Sequence, residues 1–213
     1  MRNKRRTRQR RISPVLHVFC EGEKTEPNYI SRYKDLFCEK AVAIKVEKTE
    51  KNTPVQLVQA AVSCKQSNRD ALQDEYWVVY DRESPTKYSE KLHAQARDLA
   101  CRHGIHIALS NVCFEVWLLL HKQRTCAACN SCAELLGRAD FKAAFGGYEK
   151  GSHCTLTREQ IIQARDRAEK LNANTIAGAD KDWKVPSKWN PYTNVHELLA
   201  AIDRFQKGLN GIA

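Results

Sequence analysis

The sequence predicts an α/β fold, a mostly parallel sheet flanked by helices and followed by a mainly helical C-terminal region. Three observations carry that reading. Short apolar runs of strand length alternate with helix-period patterns over about 110 residues, an order β-α-β-α-β-α-β-α that calls for right-handed parallel crossovers. One run, Tyr76–Tyr80, is apolar without interruption, as a central strand covered on both faces must be. Beyond residue 121 no convincing strand pattern remains, and helix start signals dominate.

The first strand is the apolar run Val15–Cys20 after Pro14, long enough for one buried strand. It ends abruptly in Glu21-Gly22-Glu23-Lys24. Thr25 is the candidate N-cap of the first helix, with Pro27 tolerated in its first turn. Tyr29 or Ile30, Tyr33 and Phe37 mark its inner face. Val42, Ile44 and Val46 alternate with smaller or charged residues, the pattern of a half-exposed strand. Thr53-Pro54 opens the second helix as cap and first-turn proline, and Val55, Val58 and Val62 recur along one side. The third strand, Tyr76–Tyr80, runs into Asp81-Arg82-Glu83. Leu92, Ala96, Leu99 and His103 follow at helical spacing until Gly104 stops them. Ile105, Ile107 and Leu109 alternate in a fourth strand, and Ser110 or Asn111 stands where it would cap a helix over 112–121. Further on, Thr157 and Gln160 form a capping box for a helix with Ile161, Ala164, Ala168 and Leu171 on one face. Residues 172–191 read as irregular, and Asn194 as the cap of a last helix with Leu198, Ile202 and Phe205 inward.

With 213 residues, 42% hydrophobic and 28% charged, the chain is neither wholly disordered nor collagen-like. No apolar run approaches the roughly 20 residues of a membrane span. The opening MRNKRRTRQRR lacks the apolar stretch of a secretory signal, so a cytoplasmic location and no membrane partner are expected. The net charge of +10 is unevenly placed. Residues 1–11 hold seven bases, Arg2, Lys4, Arg5, Arg6, Arg8, Arg10 and Arg11, and no acid, while the other 202 residues hold 28 bases and 25 acids. Such an arm cannot bury its charges and stays solvated. It either attracts a polyanion such as nucleic acid by counterion release or has no specific role. The expected division is a basic arm at 1–11, an α/β catalytic domain at 12–121 and a helical extension at 122–213.

Sites in open α/β sheets form beyond the carboxyl ends of the strands. The first strand delivers Glu21, with Glu23 and Glu26 behind it, and the third delivers Asp81 and Glu83. If these strands are neighbours, Glu21, Asp81 and Glu83 converge. Gathered carboxylates raise one another's pKa unless a cation neutralises them. Oxygen-only ligands suit Mg2+ or Mn2+, ions that activate water and neutralise phosphate oxygens in phosphodiester chemistry. The alternative is that each acid is a solvated loop residue. Glu26 is either a ligand of a second metal or a helix-start acid facing the dipole. Glu115, alone within the apolar stretch Phe114–Leu120, needs a partner; it either joins the metal site or pairs with a base such as His121, Arg82 or Lys150. Arg82 and Lys24 flank the acids and either hold phosphate oxygens or balance local charge. Lys150 reads from its surroundings as a loop lysine paired with Glu149.

The strings Cys20-Glu-Gly-Glu-Lys-Thr-Glu-Pro-Asn-Tyr29, Val78-Val-Tyr-Asp-Arg82, Asn111-Val-Cys-Phe-Glu-Val-Trp-Leu-Leu-Leu-His121 and Asn190-Pro-Tyr-Thr-Asn-Val-His196 resemble the RloB-like family. Glu21-Gly22 and Asp81-Arg82-Glu83 resemble the acidic elements of the TOPRIM catalytic domain. The resemblance covers roughly residues 13–205. It implies a TOPRIM-like fold, Mg2+ dependence and a nuclease effector of bacterial anti-phage defence, acting on RNA (tRNA among the candidates) or DNA, beside an ATPase partner of ABC or SMC-like type. It also implies that Glu21 acts as metal ligand or general base, and that Asp81 and Glu83 form a metal-binding pair. Glu83 stands where the commonest TOPRIM pattern has Asp, and Lys150, after Gly146-Gly147-Tyr148-Glu149, resembles a family position, which implies a phosphate contact. A different reading is a non-catalytic nucleic-acid-binding or sensor subunit of a defence complex. The oligomeric state, a homo-oligomer included, stays open.

Cys126, Cys129 and Cys132 place three thiols within seven residues. They either hold zinc with a fourth ligand, His121, His153 or Cys154, or are free thiols. The chain's nine cysteines are an odd number at a density below that of disulfide scaffolds, so most are expected to be reduced.

Overall fold

A computed structural model describes residues 14–38, 44–47, 53–68, 73–124, 126–151 and 156–210. The basic arm, Val42, His153 and Cys154 lie outside these. A five-stranded sheet of order β2-β1-β3-β4-β5 forms the centre, built from β1 (Leu16–Cys20), β2 (Ile44–Glu47), β3 (Glu75–Asp81), β4 (His106–Asn111) and β5 (Tyr192–Thr193). The first four pair in parallel, and β5 runs antiparallel to β4. Helices α1 (Thr25–Phe37), α2 (Pro54–Ser67), α3 (Glu90–His103) and α4 (Glu115–Leu119) connect and cover them, followed by α5 (Cys132–Gly137), α6 (Ala139–Ala144), α7 (Arg158–Gly178) and α8 (Val195–Asn210). The expected fold class is therefore present. No helix among the described residues is long and apolar enough to cross a membrane.

Period-2 alternation along the central strands builds two apolar layers. Leu16, Val18, Trp77, Val79 and Ala108 face one core, which α1, α4, α7 and α8 complete; Phe19, Tyr76, Val78, Tyr80 and Leu109 face the other, completed by α2 and α3. The C-terminal helices thus share the core of α1.

Several local expectations need correction. Thr25 is the first helical residue of α1 rather than its cap; its hydroxyl oxygen accepts the Gly151 N–H at 3.0 Å. Thr53 does cap α2, and Gly104 ends α3 in the left-handed conformation. The buried stripe of α3 is His93, Ala96 and Ala100, with Leu99 only partly buried against the core. Neither Ser110 nor Asn111 caps a helix, because both belong to β4 and α4 starts only at Glu115. Thr157 and Gln160 form the expected capping box, but α7 continues to Gly178, well into the stretch expected to be irregular.

The strand β5 lies in the region expected to lack strands. Two residues give no periodicity to read. It forms because side-chain amides extend its hydrogen bonding. Asn172 donates to the Thr193 carbonyl at 2.8 Å and accepts the Thr193 N–H at 3.1 Å. Asn194 does not direct its side chain to helix N–H groups. Its Oδ1 accepts the Leu109 N–H at 2.7 Å, and its Nδ2 donates to the Ile107 carbonyl at 3.0 Å.

Removing the Asn194 amide leaves buried backbone groups of β4 without partners, at about 1–3 kcal/mol each. Asn194→Ala is expected to lower stability by roughly 2–4 kcal/mol, measured by urea denaturation. A loss below about 0.5 kcal/mol would mean that water replaces the amide.

Candidate metal centre

The sheet order makes β1 and β3 neighbours, paired from Leu16↔Glu75 to Cys20↔Val79. Their carboxyl ends therefore deliver Glu21 and Asp81 side by side. The Glu21 N–H continues the ladder to the Val79 carbonyl at 2.9 Å. Glu21 Oε2 then accepts the Asp81 N–H at 3.0 Å, and Oε1 accepts the Tyr88 hydroxyl at 2.9 Å. Both oxygens are fixed by the fold.

A cavity of about 400 Å³ opens here, lined by the six carboxylates of Glu21, Glu23, Glu26, Asp81, Glu83 and Glu115 and by Lys24, Lys87 and Lys150. Glu26 is buried, and its Oε1 accepts the Gly22 N–H at 3.2 Å. A side chain at position 22 would collide with that carboxylate, its Cβ falling 2.8 Å from Glu26 Cδ, which explains the glycine. Glu83 sits at φ 58°, a left-handed conformation uncommon outside glycine. This conformation turns the chain out of β3, and the Glu83 carboxylate meets Lys87 Nζ at 2.6 Å. Glu115, 2% exposed, accepts the Tyr148 hydroxyl at 3.0 Å and the Cys132 thiol at 3.4 Å. Lys150 Nζ lies 3.8 Å from it.

The electrostatics follow from this crowding. Burial pushes Asp81 well above the usual carboxylate range, helped by the charges of Glu26, Glu115 and Glu21. Burial first, then Glu115 and Glu21, push Glu26 up to about 6. Glu21 is raised by burial too, against the opposing Asp81 N–H, Tyr88 hydroxyl and Lys87. Burial alone would lower Lys150, but Glu115, Cys132 and Asp81 more than reverse it.

These donors fit a hard divalent cation. The carboxylates offer only oxygen. No three of these carboxylates bring their oxygens within 4.8 Å of one another. The set thus suits an ion held by one or two carboxylates and several waters, the habit of Mg2+.

The other sequence candidates are placed differently. Arg82 is buried and points away from this cavity. Its guanidinium donates to the carbonyls of Ser187 at 2.9 Å, Tyr88 at 2.9 Å and Glu83 at 3.3 Å, with Glu90 at 3.8 Å. Its partners are the fold's own oxygens, not an open phosphate position. Lys24 lines the cavity, its stem close enough to Gly151 that a Cβ there would sit 2.8 Å from Lys24 Cβ. His121 is committed to Tyr29 and to the carbonyls of Trp117 and Leu118. Cys126 and Cys129 are within hydrogen-bonding reach of each other, but with Cys132 they do not form one metal-sized group. Cys126 and Cys129 both point to the Ala127 carbonyl, whereas Cys132 groups with Cys113 and Glu115. Arg5, Arg6, Arg8, Arg10 and Arg11 lie outside the described residues. Sequence reading missed Lys87, Tyr88 and Tyr148, which reach the acids from loops without any periodic pattern.

The family model described as RloB-like protein matches residues 16–202. The chain therefore belongs to the RloB-like family. Neither a curated protein nor a solved structure matches it.

At Glu26 the folded chain binds more protons than the unfolded chain between pH 4.5 and about 6, so stability falls as pH rises through that window. Glu21 and Asp81 act in the same direction. Glu26→Gln keeps an acceptor for Gly22 and removes the charge. It is expected to be more stable than the parent by roughly 2 kcal/mol at about pH 8, with the gain disappearing near pH 4. Denaturation at the two pH values checks this.

Proposed function

We propose that this protein is a metal-dependent nuclease of TOPRIM type, hydrolysing phosphodiesters of RNA or DNA as an effector in bacterial anti-phage defence. The observation that supports it most is the gathering of six carboxylates, three of them with raised pKa, around one cavity at the carboxyl edge of a parallel sheet. In this reading Asp81 and Glu21 hold Mg2+ or Mn2+, with Glu26 and Glu83 beside them. Such an ion, when bound, activates water and neutralises charge on phosphate oxygens.

The chain's own residues supply the rest. The backbone of β3 and the Tyr88 hydroxyl keep Glu21 in one orientation. A carboxylate locked in this way loses little entropy on taking up a cation. Lys24, Lys87 and Lys150 stand at the cavity wall, where ammonium groups meet an incoming phosphate. Glu115 holds Lys150 through its charge and serves as a positioning residue. The basic arm extends the attraction for a polyanion beyond the cavity. The family resemblance supports a partner ATPase of ABC or SMC-like type and action inside the cell.

The test is incubation of the full chain with total RNA and with plasmid DNA, in Mg2+ and in EDTA. Cleavage is expected in Mg2+ alone, and Asp81→Asn or Glu21→Gln is expected to reduce it by about 100-fold or more while sparing nucleic-acid binding. Gly22→Ala should also reduce it, by displacing Glu26. If the parent binds nucleic acid but cleaves neither substrate with its ATPase partner present, the sensor-subunit reading replaces this one.

A further inference from the structure

A second cluster of metal-ligating groups lies away from the carboxylate cavity, on the α2 face of the sheet. His17 follows Leu16 in β1, so alternation turns it toward α2. It is 4% exposed, and its ring stacks on Tyr76 with centroids 4.6 Å apart and planes 2° from parallel. Nδ1 faces Glu47 Oε1 at 2.7 Å and Cys64 Sγ at 4.0 Å. The three ligand atoms all lie within 4.8 Å of one another. They come from β1, β2 and α2.

We propose that His17, Glu47 and Cys64 form a site for a zinc-class divalent cation, with water as the fourth ligand. Imidazole, carboxylate and thiolate together are zinc donors. They are not a set for Mg2+ or Ca2+. The surroundings favour this assignment more than the three ligands alone do. Ligating histidines give their other ring N–H to a carboxylate, and His17 Nε2 meets Asp74 Oδ2 at 3.1 Å. Asp74 is itself fixed by the Val15 N–H at 2.8 Å. The second oxygen of Glu47 meets Lys45 Nζ at 2.9 Å, and Asn68 Nδ2 donates to Cys64 Sγ at 3.7 Å. Each ligand therefore has an orienting partner. Without a cation, both nitrogens of His17 face carboxylate oxygens, which a neutral ring with one N–H cannot satisfy. The ion enters past Cys64 and Glu47, which are partly exposed. Binding releases the Cys64 thiol proton to solvent, so affinity falls in acid.

Co2+ is the probe, added to the reduced, chelator-treated full chain. About one equivalent is expected to bring up thiolate-to-cobalt absorption that Zn2+ then removes. The absorption should vanish in Cys64→Ser and His17→Gln and persist in Cys132→Ser, which removes a thiol from the cluster of Cys113, Glu115 and Cys132. Asp74→Asn should weaken binding about 10- to 100-fold without changing its stoichiometry. On the unaltered chain, Zn2+ should slow alkylation of Cys64, followed by peptide mass, which keeps the test independent of variant folding. Absorption that survives Cys64→Ser, or equal alkylation with and without Zn2+, would overturn the site. None of these measurements reads cleavage activity.

Discussion

The in-register parallel pairing of β1 with β3 is the constraint on which the rest depends. That ladder ends at Cys20↔Val79, and the next donor of β3, the Asp81 N–H, goes to the Glu21 side chain. A carboxylate thereby takes the place of a backbone acceptor at the end of a sheet. A one-residue slip would turn Glu21 and Asp81 to different faces. It would also put the apolar residues of β1 on the wrong core. Hydrophobic burial on both faces thus fixes the position of the acids.

Placing like charges together is unfavourable, and the neighbourhood offsets part of that cost. Three carboxylates are pushed toward protonation, Asp81 well above the usual carboxylate range. Around them, Tyr88 and Lys87 come from the loop after β3, and Tyr148 and Lys150 from the turn after α6. Glu83 holds an unusual backbone conformation at the same point. Such conformations cost about 1–3 kcal/mol and persist where the surroundings over-determine them. Here the Glu83 N–H bonded to the Val112 carbonyl and the Lys87 ammonium on its side chain do so. The unrelieved charge is what a divalent cation would neutralise.

Much of this was legible in the sequence, for identifiable reasons. Strands buried on both faces read as unbroken apolar runs, so β1 and β3 stood out and their terminal acids with them. Thr53-Pro54 and Thr157–Gln160 signalled helix starts because capping is local chemistry. What escaped depends on long-range contact. Asn194 looks like a helix cap, yet its amide is needed by β4, 85 residues away. Asn172 looks like the start of a loop, yet it lies inside α7, bonded to Thr193. Cys132 appeared to belong with Cys126 and Cys129 by spacing, but Ser131 caps α5 and carries Cys132 to the other side, beside Glu115. Sequence spacing constrains neighbours along the chain and says little about which way a short helix will face.

Arg82 shows the same limit from the side of function. It stands between two candidate metal ligands, and adjacency suggests a phosphate contact. Strand alternation sends it to the opposite side from Asp81, where burial of a guanidinium requires acceptors. It finds them in the Tyr88 and Ser187 carbonyls, with Glu90 nearby. Hydrogen bonds from a charged donor contribute about 1.5–3 kcal/mol each, enough to hold both attached segments. One segment is the loop whose Tyr88 orients Glu21. The other is the 3-10 turn Pro186–Lys188, which Asn111 also holds through Ser187 and Trp189. The C-terminal region therefore reaches the carboxylate cavity through a cation that never enters it. The acids on one side of β3 and the arginine on the other are two consequences of a single strand ending where it does.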